Sequence, residues 1–245
     1  MNDIILIADL THTGSKSYSP NLIPYPIGCI KSHLLEYSTH SSDLSVEIFK
    51  DPQKFIDAFL EKKPTVVGFG NYVWNLELST DLAKEIKSIN PETLIVFGGP
   101  NFPLENKQRE EWLRKRPFVD IYVVGDGEQS FTEIIDIWCQ THDINKVKEN
   151  EISGCYSLVD DKLHRTGEFS PRIEDLDKIP SPYLSGYLDE FLKDSRLSPL
   201  LESNRGCPFT CTFCVDGTDS RSKVYHKSVT RFEQELEYVL SLIHI

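Results

Sequence analysis

No apolar run in the 245 residues approaches the roughly 18 that a membrane-crossing helix needs. Nor is there an excess of positive charge: 26 Lys and Arg stand against 38 Asp and Glu, a formal net charge of −12. That balance argues against a nucleic-acid-binding module held by a basic face and against a polybasic membrane-surface protein. The opening Met1-Asn2-Asp3 is acidic and leads into only five apolar residues, so no secretory signal is expected and the expected compartment is the cytoplasm. Low-complexity tracts are missing, as is any repeat beyond a strand–helix period. What is present is 39% hydrophobic, with 13 Phe, 10 Tyr and 3 Trp, enough to bury a core and to exclude global disorder. The length suits one large domain or two modest ones.

Short apolar runs at 4–8, 44–49, 65–69, 94–97 and 119–124 read as buried strands. Between and after them, helical spacing starts at Pro26 and Pro52 and covers 76–89, about 105–116, and 130–139. The charged stretch from Lys107 to Arg116 reads as a solvated helix face. Strands alternating with helices imply an α/β fold, a doubly wound parallel sheet with helices on both faces. Ligands bind such sheets outside the carboxyl ends of the strands. The polar and glycine-rich segments fall there: Asp9 to Gly14, Gly68 to Asn75, Gly98 to Pro103 and Gly125 to Glu128. Gly68-Phe-Gly70 lacks the G-x-G-x-x-G of a dinucleotide site.

From about Thr141 the pattern changes. Gly154–Val159 and Lys162–Thr166 read as a hairpin over Asp160-Asp161. Pro171–Tyr183, with three prolines, reads as a linker, and Ser198–Glu202 as a further strand. A last helix is expected over 229–243, with Phe232, Leu236, Val239 and Leu240 on one face. The expected division is 1–142, a ligand-binding domain; 143–195, hairpin and linker; and 196–245, the beginning of another domain.

Six cysteines carry the sharpest signal. Without a secretory signal they suit metal or redox chemistry better than disulfides. Cys207, Cys211 and Cys214 form a C-x3-C-x2-C spacing, which lets three thiolates converge on one iron–sulfur face. A closed zinc site would want a fourth ligand, for which His226 is a poor candidate. Three inert thiols are the plain alternative. Cys29, Cys139 and Cys155 lie on core-patterned segments and are expected to be buried.

Arg205-Gly-Cys-Pro-Phe-Thr-Cys-Thr-Phe-Cys214 resembles the signature of the radical S-adenosylmethionine (SAM) enzymes. The resemblance implies a [4Fe–4S] cluster on Cys207, Cys211 and Cys214. It implies SAM on the fourth iron, with Phe213 near the adenine, and reductive cleavage to a 5′-deoxyadenosyl radical. An external electron donor of the flavodoxin or ferredoxin type is then expected.

The first half resembles the Rossmann-like cobalamin-binding domain that precedes the radical SAM core in one subgroup of that superfamily. The matching segments are Tyr25–Gly28, Lys63–Phe69, Val96–Pro100 and Val119–Glu128, and the linker Ile173–Pro180 matches as well. By that resemblance Asn71, Tyr72, Gly98, Gly99, Pro100, Gly125 and Glu128 would hold the corrin and its tail. Physically, Gly98-Gly99 lets backbone approach a bulky ligand, and the turn at Gly125–Glu128 offers N–H groups and a carboxylate. Many cobalamin carriers use D-x-H-x-x-G, whose His ligates cobalt; Asp9-Leu-Thr-His12-Thr-Gly14 sets the His one place late. His12 therefore reads as a polar loop residue, and the subgroup commonly lacks the ligating His.

The fold expected is this α/β domain followed by the first β/α unit of a radical SAM partial barrel. A full eight-unit barrel takes roughly 250 residues. One strand, a loop and a helix after Pro199 suggest the opening of a longer enzyme, inactive alone because the adenosine half of the SAM pocket is missing. The function implied is methyl transfer to an unactivated carbon of an unknown small-molecule or peptide substrate. The alternatives are a radical SAM cyclase, mutase or methylthiotransferase. The spacing of Cys29, Cys139 and Cys155 is unlike the second-cluster pattern of the last of these. From another class, the rival is a non-catalytic corrinoid- or zinc-binding module.

Overall fold

In the computed structural model, residues 2–13, 18–212, 214 and 222–243 are described. The strand β1 (Asp3–Ala8) buries Ile5, Leu6 and Ala8 completely. That requires cover on both faces. A two-stranded ribbon, β2 (His12–Thr13) with β3 (Tyr18–Ser19), leads from it to the helix α1 (Tyr25–Tyr37). Then come β4 (Leu44–Phe49), α2 (Pro52–Lys62), β5 (Val66–Gly70), α3 (Leu76–Ile89), β6 (Leu94–Gly98), α4 (Asn106–Arg114), β7 (Ile121–Val123) and α5 (Gly127–Thr141). Local chemistry sets the ends. Asp51 accepts hydrogen bonds from the Gln53 and Lys54 amides ahead of Pro52, capping α2.

Five of these strands are parallel, in the order β4-β1-β5-β6-β7. Successive residues face opposite sides, so Ile5, Ile7, Val66, Val96 and Val123 pack under α1 and α5. Leu6, Ala8, Val67, Ile95 and Phe97 pack under α2, α3 and α4. The chain leaves β1 toward β4 on one side and builds toward β5 on the other, which opens a crevice at the carboxyl ends of β1 and β5.

Beyond α5, Asp143 caps a short helix that the sequence did not announce, α6 (Ile144–Glu149). The hairpin β8 (Cys155–Val159) and β9 (Lys162–Arg165) does more than follow the sheet. It extends it, with β8 antiparallel to β7 through Tyr122–Tyr156 and Val123–Cys155. Its turn at Asp160 and Asp161 has φ of 48° and 58°, the double left-handed geometry of a type I′ turn.

The segment read as a linker is packed, not exposed: Ile173, Leu176, Ile179 and Tyr183 are buried in the core under α1. After α7 (Asp189–Leu192), no regular strand forms over 198–202. Ser198 makes an isolated bridge to Leu22 instead, and Pro199 brings no N–H to continue a ladder. Pairing resumes in β10 (Asn204–Arg205) against β11 (Tyr225–His226), followed by α8 (Val229–Leu242).

The buried face of α8 also differs from the expected one. Leu240 is 47% exposed, while Glu235 is fully buried beside Val239. The reason is a charge cluster. Lys227 Nζ and Arg231 Nε donate to the two Glu235 oxygens, each at 2.9 Å, and Lys227 also donates to the Tyr25 hydroxyl at 2.5 Å. Among the described residues, no helix is long and apolar enough to cross a membrane.

Candidate functional site

An open cavity of about 550 Å³ lies at the carboxyl ends of β1, β5, β6 and β7. Its floor is backbone. A Cβ on Gly68 would stand 3.4 Å from Ile7 and Phe131, and one on Gly98 would stand 3.6 Å from the Val123 carbonyl. Gly99 has φ of +116°, and a Cβ there would lie 2.7 Å from the Asn71 carbonyl oxygen, so only glycine fits. Apolar side chains back the floor and aromatic ones stand at its rim. Tyr72 stacks on Trp74 with centroids 4.6 Å apart.

Beneath the floor, Asn71 is a strut. It is fully buried, and its amide donates to the Asn101 carbonyl at 2.8 Å and to the Tyr122 hydroxyl at 2.9 Å. Tyr122 in turn donates to the Gly99 carbonyl at 2.9 Å. The Asn71 N–H donates to the Gly98 carbonyl at 2.6 Å. These bonds lock the β5 and β6 loop ends together, with no side-chain atom of Asn71 left for a ligand.

The far wall is charged and comes from two distant parts of the chain. Glu128, in the first turn of α5, accepts from Arg205 at 2.7 Å, and Arg205 also donates to Glu202 at 2.8 Å. Burial alone would push the Glu128 carboxyl up; the Arg205 charge and hydrogen bond outweigh it and hold the carboxyl below its usual range. Asp126 pairs with Arg172 at 3.4 Å, and Arg172 donates to the Arg205 carbonyl at 3.3 Å. The Arg205–Glu128 pair thus fastens the segment entering the cysteine loop to the first turn of α5, and Arg172, paired with Asp126, ties the loop after β7 to the same segment through the Arg205 carbonyl. Arg109 also lines the cavity, buried beside Phe102.

The site residues named from sequence fall in three groups. Tyr72, Gly98, Gly99, Pro100, Gly125 and Glu128 all line the cavity. Asn71 lies under it. Phe213 is outside the described residues, as is Gly14 of the Asp9–Gly14 segment. Cys207 is half-buried, next to the cavity-lining Gly206; Cys211 and Cys214 are exposed, and the Cys214 amide donates to the Cys211 carbonyl at 3.0 Å. All three are free thiols, and among the described residues no three His, Cys, Asp or Glu converge as a metal site. Cys29 and Cys155 are buried, and Cys139 is half-buried. His12 hydrogen-bonds the Trp74 carbonyl at 2.8 Å, and His226 is exposed on β11.

Sequence reasoning gave no role to Arg205, Arg172, Glu202 or Arg109. Residues 107–116 were expected to face solvent, yet Arg109 is 4% exposed and Leu113 1%. The available signal was the aromatic pair Phe102 and Trp112 flanking Arg109, which marks a side of α4 turned inward.

Chemically, a floor without side chains and an open mouth suit a flat macrocycle, and this cavity lies within the usual volume range of cofactor sites. Three free thiols within eight residues are a soft donor set of the kind iron–sulfur clusters use.

Known proteins match this arrangement. Residues 22–135 match the model of the B12 binding domain. The chain is 30% identical to the cobalamin-dependent radical SAM methyltransferase TokK of Streptomyces tokunonensis, over 94% of this chain and 34% of that protein. It is 29% identical to the 2-(S-pantetheinyl)-carbapenam-3-carboxylate methyltransferase of Streptantibioticus cattleyicolor, over 78% of this chain and 28% of that one. The anaerobic magnesium-protoporphyrin IX monomethyl ester cyclase of Rubrivivax gelatinosus is 29% identical over 62% of this chain and 27% of its own. The fold matches that of the cobalamin-dependent S-adenosylmethionine radical enzyme OxsB, solved with aqua-cobalamin and S-adenosylmethionine. The TM-score is 0.68 at 16% identity, covering 98% of this chain and 32% of that one. The chain spans about a third of the length of these relatives. With residues 22–135 matching a B12 binding domain and the three-cysteine signature following the charged wall, the chain is similar in sequence and fold to radical SAM proteins that carry a cobalamin-binding domain.

Proposed function

We propose that this chain supplies the corrin-binding domain and the cluster-binding loop of an enzyme that transfers a methyl group to an unactivated carbon. In this reading residues 1–142 hold cobalamin, 143–195 are the hairpin and packed linker, and 196–245 begin the radical SAM domain. One observation carries it: Arg205 and Gly206, immediately before Cys207, wall the same cavity whose floor is Gly68, Gly98 and Gly99. A corrin on that floor and a cluster on Cys207, Cys211 and Cys214 would then be neighbours.

When bound, the corrin supplies a transferable methyl group, and the cluster with SAM supplies the radical chemistry that opens a carbon–hydrogen bond. The chain's own residues hold and exclude. Gly98 and Gly99 keep the floor flat, Tyr72 and Pro100 bound its rim, and the Glu128–Arg205–Glu202 ion pairs fix the approach to the cysteine loop. Reduction of the cluster calls for an external flavodoxin- or ferredoxin-type donor. The likeness to the Rubrivivax gelatinosus cyclase supports a second reading, in which the same cofactors drive a ring closure.

The test is anaerobic reconstitution with iron, sulfide and hydroxocobalamin, followed by gel filtration. About four irons per chain and co-eluting corrin absorbance are expected. Stoichiometric zinc without iron would remove the cluster assignment, and folded protein that elutes free of corrin would remove the cobalamin assignment.

A further inference from the structure

Arg109 is 4% exposed and lines the cavity, yet among the described residues no carboxylate lies within ion-pair distance of it; the Glu168 charge acts on it only from further off. Its Nε donates to the Pro103 carbonyl at 2.6 Å, and Nη1 donates to the Tyr156 hydroxyl, which donates onward to the Glu168 carbonyl at 3.1 Å. The guanidinium carbon sits 4.5 Å from the Tyr156 ring centroid and 5.6 Å from that of Phe102. These contacts fix the fork in one orientation without neutralising it. Of the five N–H groups of an arginine, two are used in this way, which leaves three.

The other charged side chains lining the cavity are all paired. Asp126 is with Arg172, and Glu128 and Glu202 are with Arg205. Among the described residues, Arg109 is the one charged group of the lining with no opposite charge within ion-pair distance. A guanidinium withdrawn from water is costly unless a ligand supplies the missing anion. Its planar fork matches phosphate in two-point fashion.

We propose that Arg109 is the binding residue for a phosphodiester on the ligand that occupies this cavity. The inference rests on the corrin reading and deepens it. The side chains around a cobalamin ring are neutral amides, and its anionic group is the phosphodiester of the nucleotide loop. Arg109 would therefore distinguish complete corrinoids from those lacking the loop.

The test is equilibrium binding of hydroxocobalamin and of cobinamide, which lacks the nucleotide loop, to the wild-type chain, Arg109→Gln and Arg109→Lys. Thermal unfolding of each variant reports its folding. Arg109→Gln should weaken hydroxocobalamin binding about tenfold or more and leave cobinamide binding unchanged. Arg109→Lys, which keeps the charge without the fork and is the milder change to the fold, should fall between. Millimolar inorganic phosphate should compete with hydroxocobalamin and leave cobinamide binding unaffected. Equal losses for both corrinoids, or no loss for either, would overturn the assignment while the corrin reading stands. Phosphate that binds at Arg109 without competing against hydroxocobalamin would overturn it in favour of a separate phosphate ligand. If folded wild-type protein binds neither corrinoid, the corrin reading itself falls and takes this inference with it.

Discussion

Arg205 donates to Glu128 at 2.7 Å across 77 residues of sequence, with the Glu128 side chain 4% exposed and that of Arg205 14%. The bond joins the first turn of α5 to the residue two places before Cys207. It is a non-covalent tie between the cavity wall and the cysteine loop.

Breaking this pair from one side should be costly because the other charge stays buried. Glu128→Gln or Arg205→Met is expected to destabilise the chain by about 3 kcal/mol each, and the double variant by clearly less than the sum. Urea midpoints for the four proteins measure the coupling. Additive losses would show that the two side chains are not working against each other's burial.

Acid should weaken the fold in two stages. Burial holds the His33 imidazole below its ordinary 6.5, with the Glu128 charge pulling it partly back, so the unfolded chain takes up the proton first. Stability is therefore lost as pH falls from 6.5 toward the folded value. Glu128 has its carboxyl held below the ordinary 4.5, so its contribution is present above 4.5 and disappears as pH falls through the lowered value. His33→Gln should flatten the first stage and leave the second. Parallel melting-temperature profiles for wild type and variant between pH 6.5 and 5 would rule His33 out as the source.

Two of the floor glycines should fail differently. Gly99→Ala meets the Asn71 carbonyl at 2.7 Å in a left-handed conformation, so a loss of about 1–3 kcal/mol in stability is expected. Gly68→Ala makes ordinary 3.4 Å contacts with Ile7 and Phe131, so it should fold with nearly unchanged stability. Its methyl nevertheless occupies cavity space, and corrin affinity should fall about tenfold. Calorimetry and spectroscopic titration of both variants separate the two effects. A Gly68→Ala chain that binds corrin like wild type would take Gly68 off the floor.

Alkylation should divide the six cysteines. Burial pushes the Cys29 and Cys139 thiols up to about 12, so at pH 8 only about one molecule in ten thousand carries the thiolate at either. Cys155 is pushed up by burial as well. Iodoacetamide on the native chain should therefore mark Cys211 and Cys214 first, Cys207 next, and the other three only after unfolding. Loading with iron and sulfide should protect the first three together. Protection of one or two alone would break up the proposed ligand set.

Much of the sheet was legible because parallel strands need covered faces and so appear as apolar runs. Leu44–Phe49 and Leu76–Ile89 match their expected bounds residue for residue. Short-range chemistry also carried the Asp160-Asp161 turn. What escaped depends on partners far away. Three prolines made 171–183 look like an exposed strap, but its apolar residues have α1 to pack on. Glu235 was not among the residues expected on the buried face of α8, and its burial depends on Lys227 and Arg231, which both donate to its carboxylate. For α6, Val147 is the one buried residue, too little to mark a periodic face. The same limit applied at the site. Glycines at strand ends advertise a ligand floor, whereas the pairing of Glu128 with Arg205, and the lack of one for Arg109, exist only after folding.

The wall at Glu202–Gly206 also sets a schedule for the growing chain. The floor and the Asp126 and Glu128 part of the wall are complete in sequence by Glu128, and Glu202 comes 74 residues later. At roughly 5–20 residues per second of synthesis, the interval is about 4–15 s. During it the glycine floor stands without Glu202, Arg205 and Gly206, so a rigid macrocycle meets less of the wall than in the finished chain.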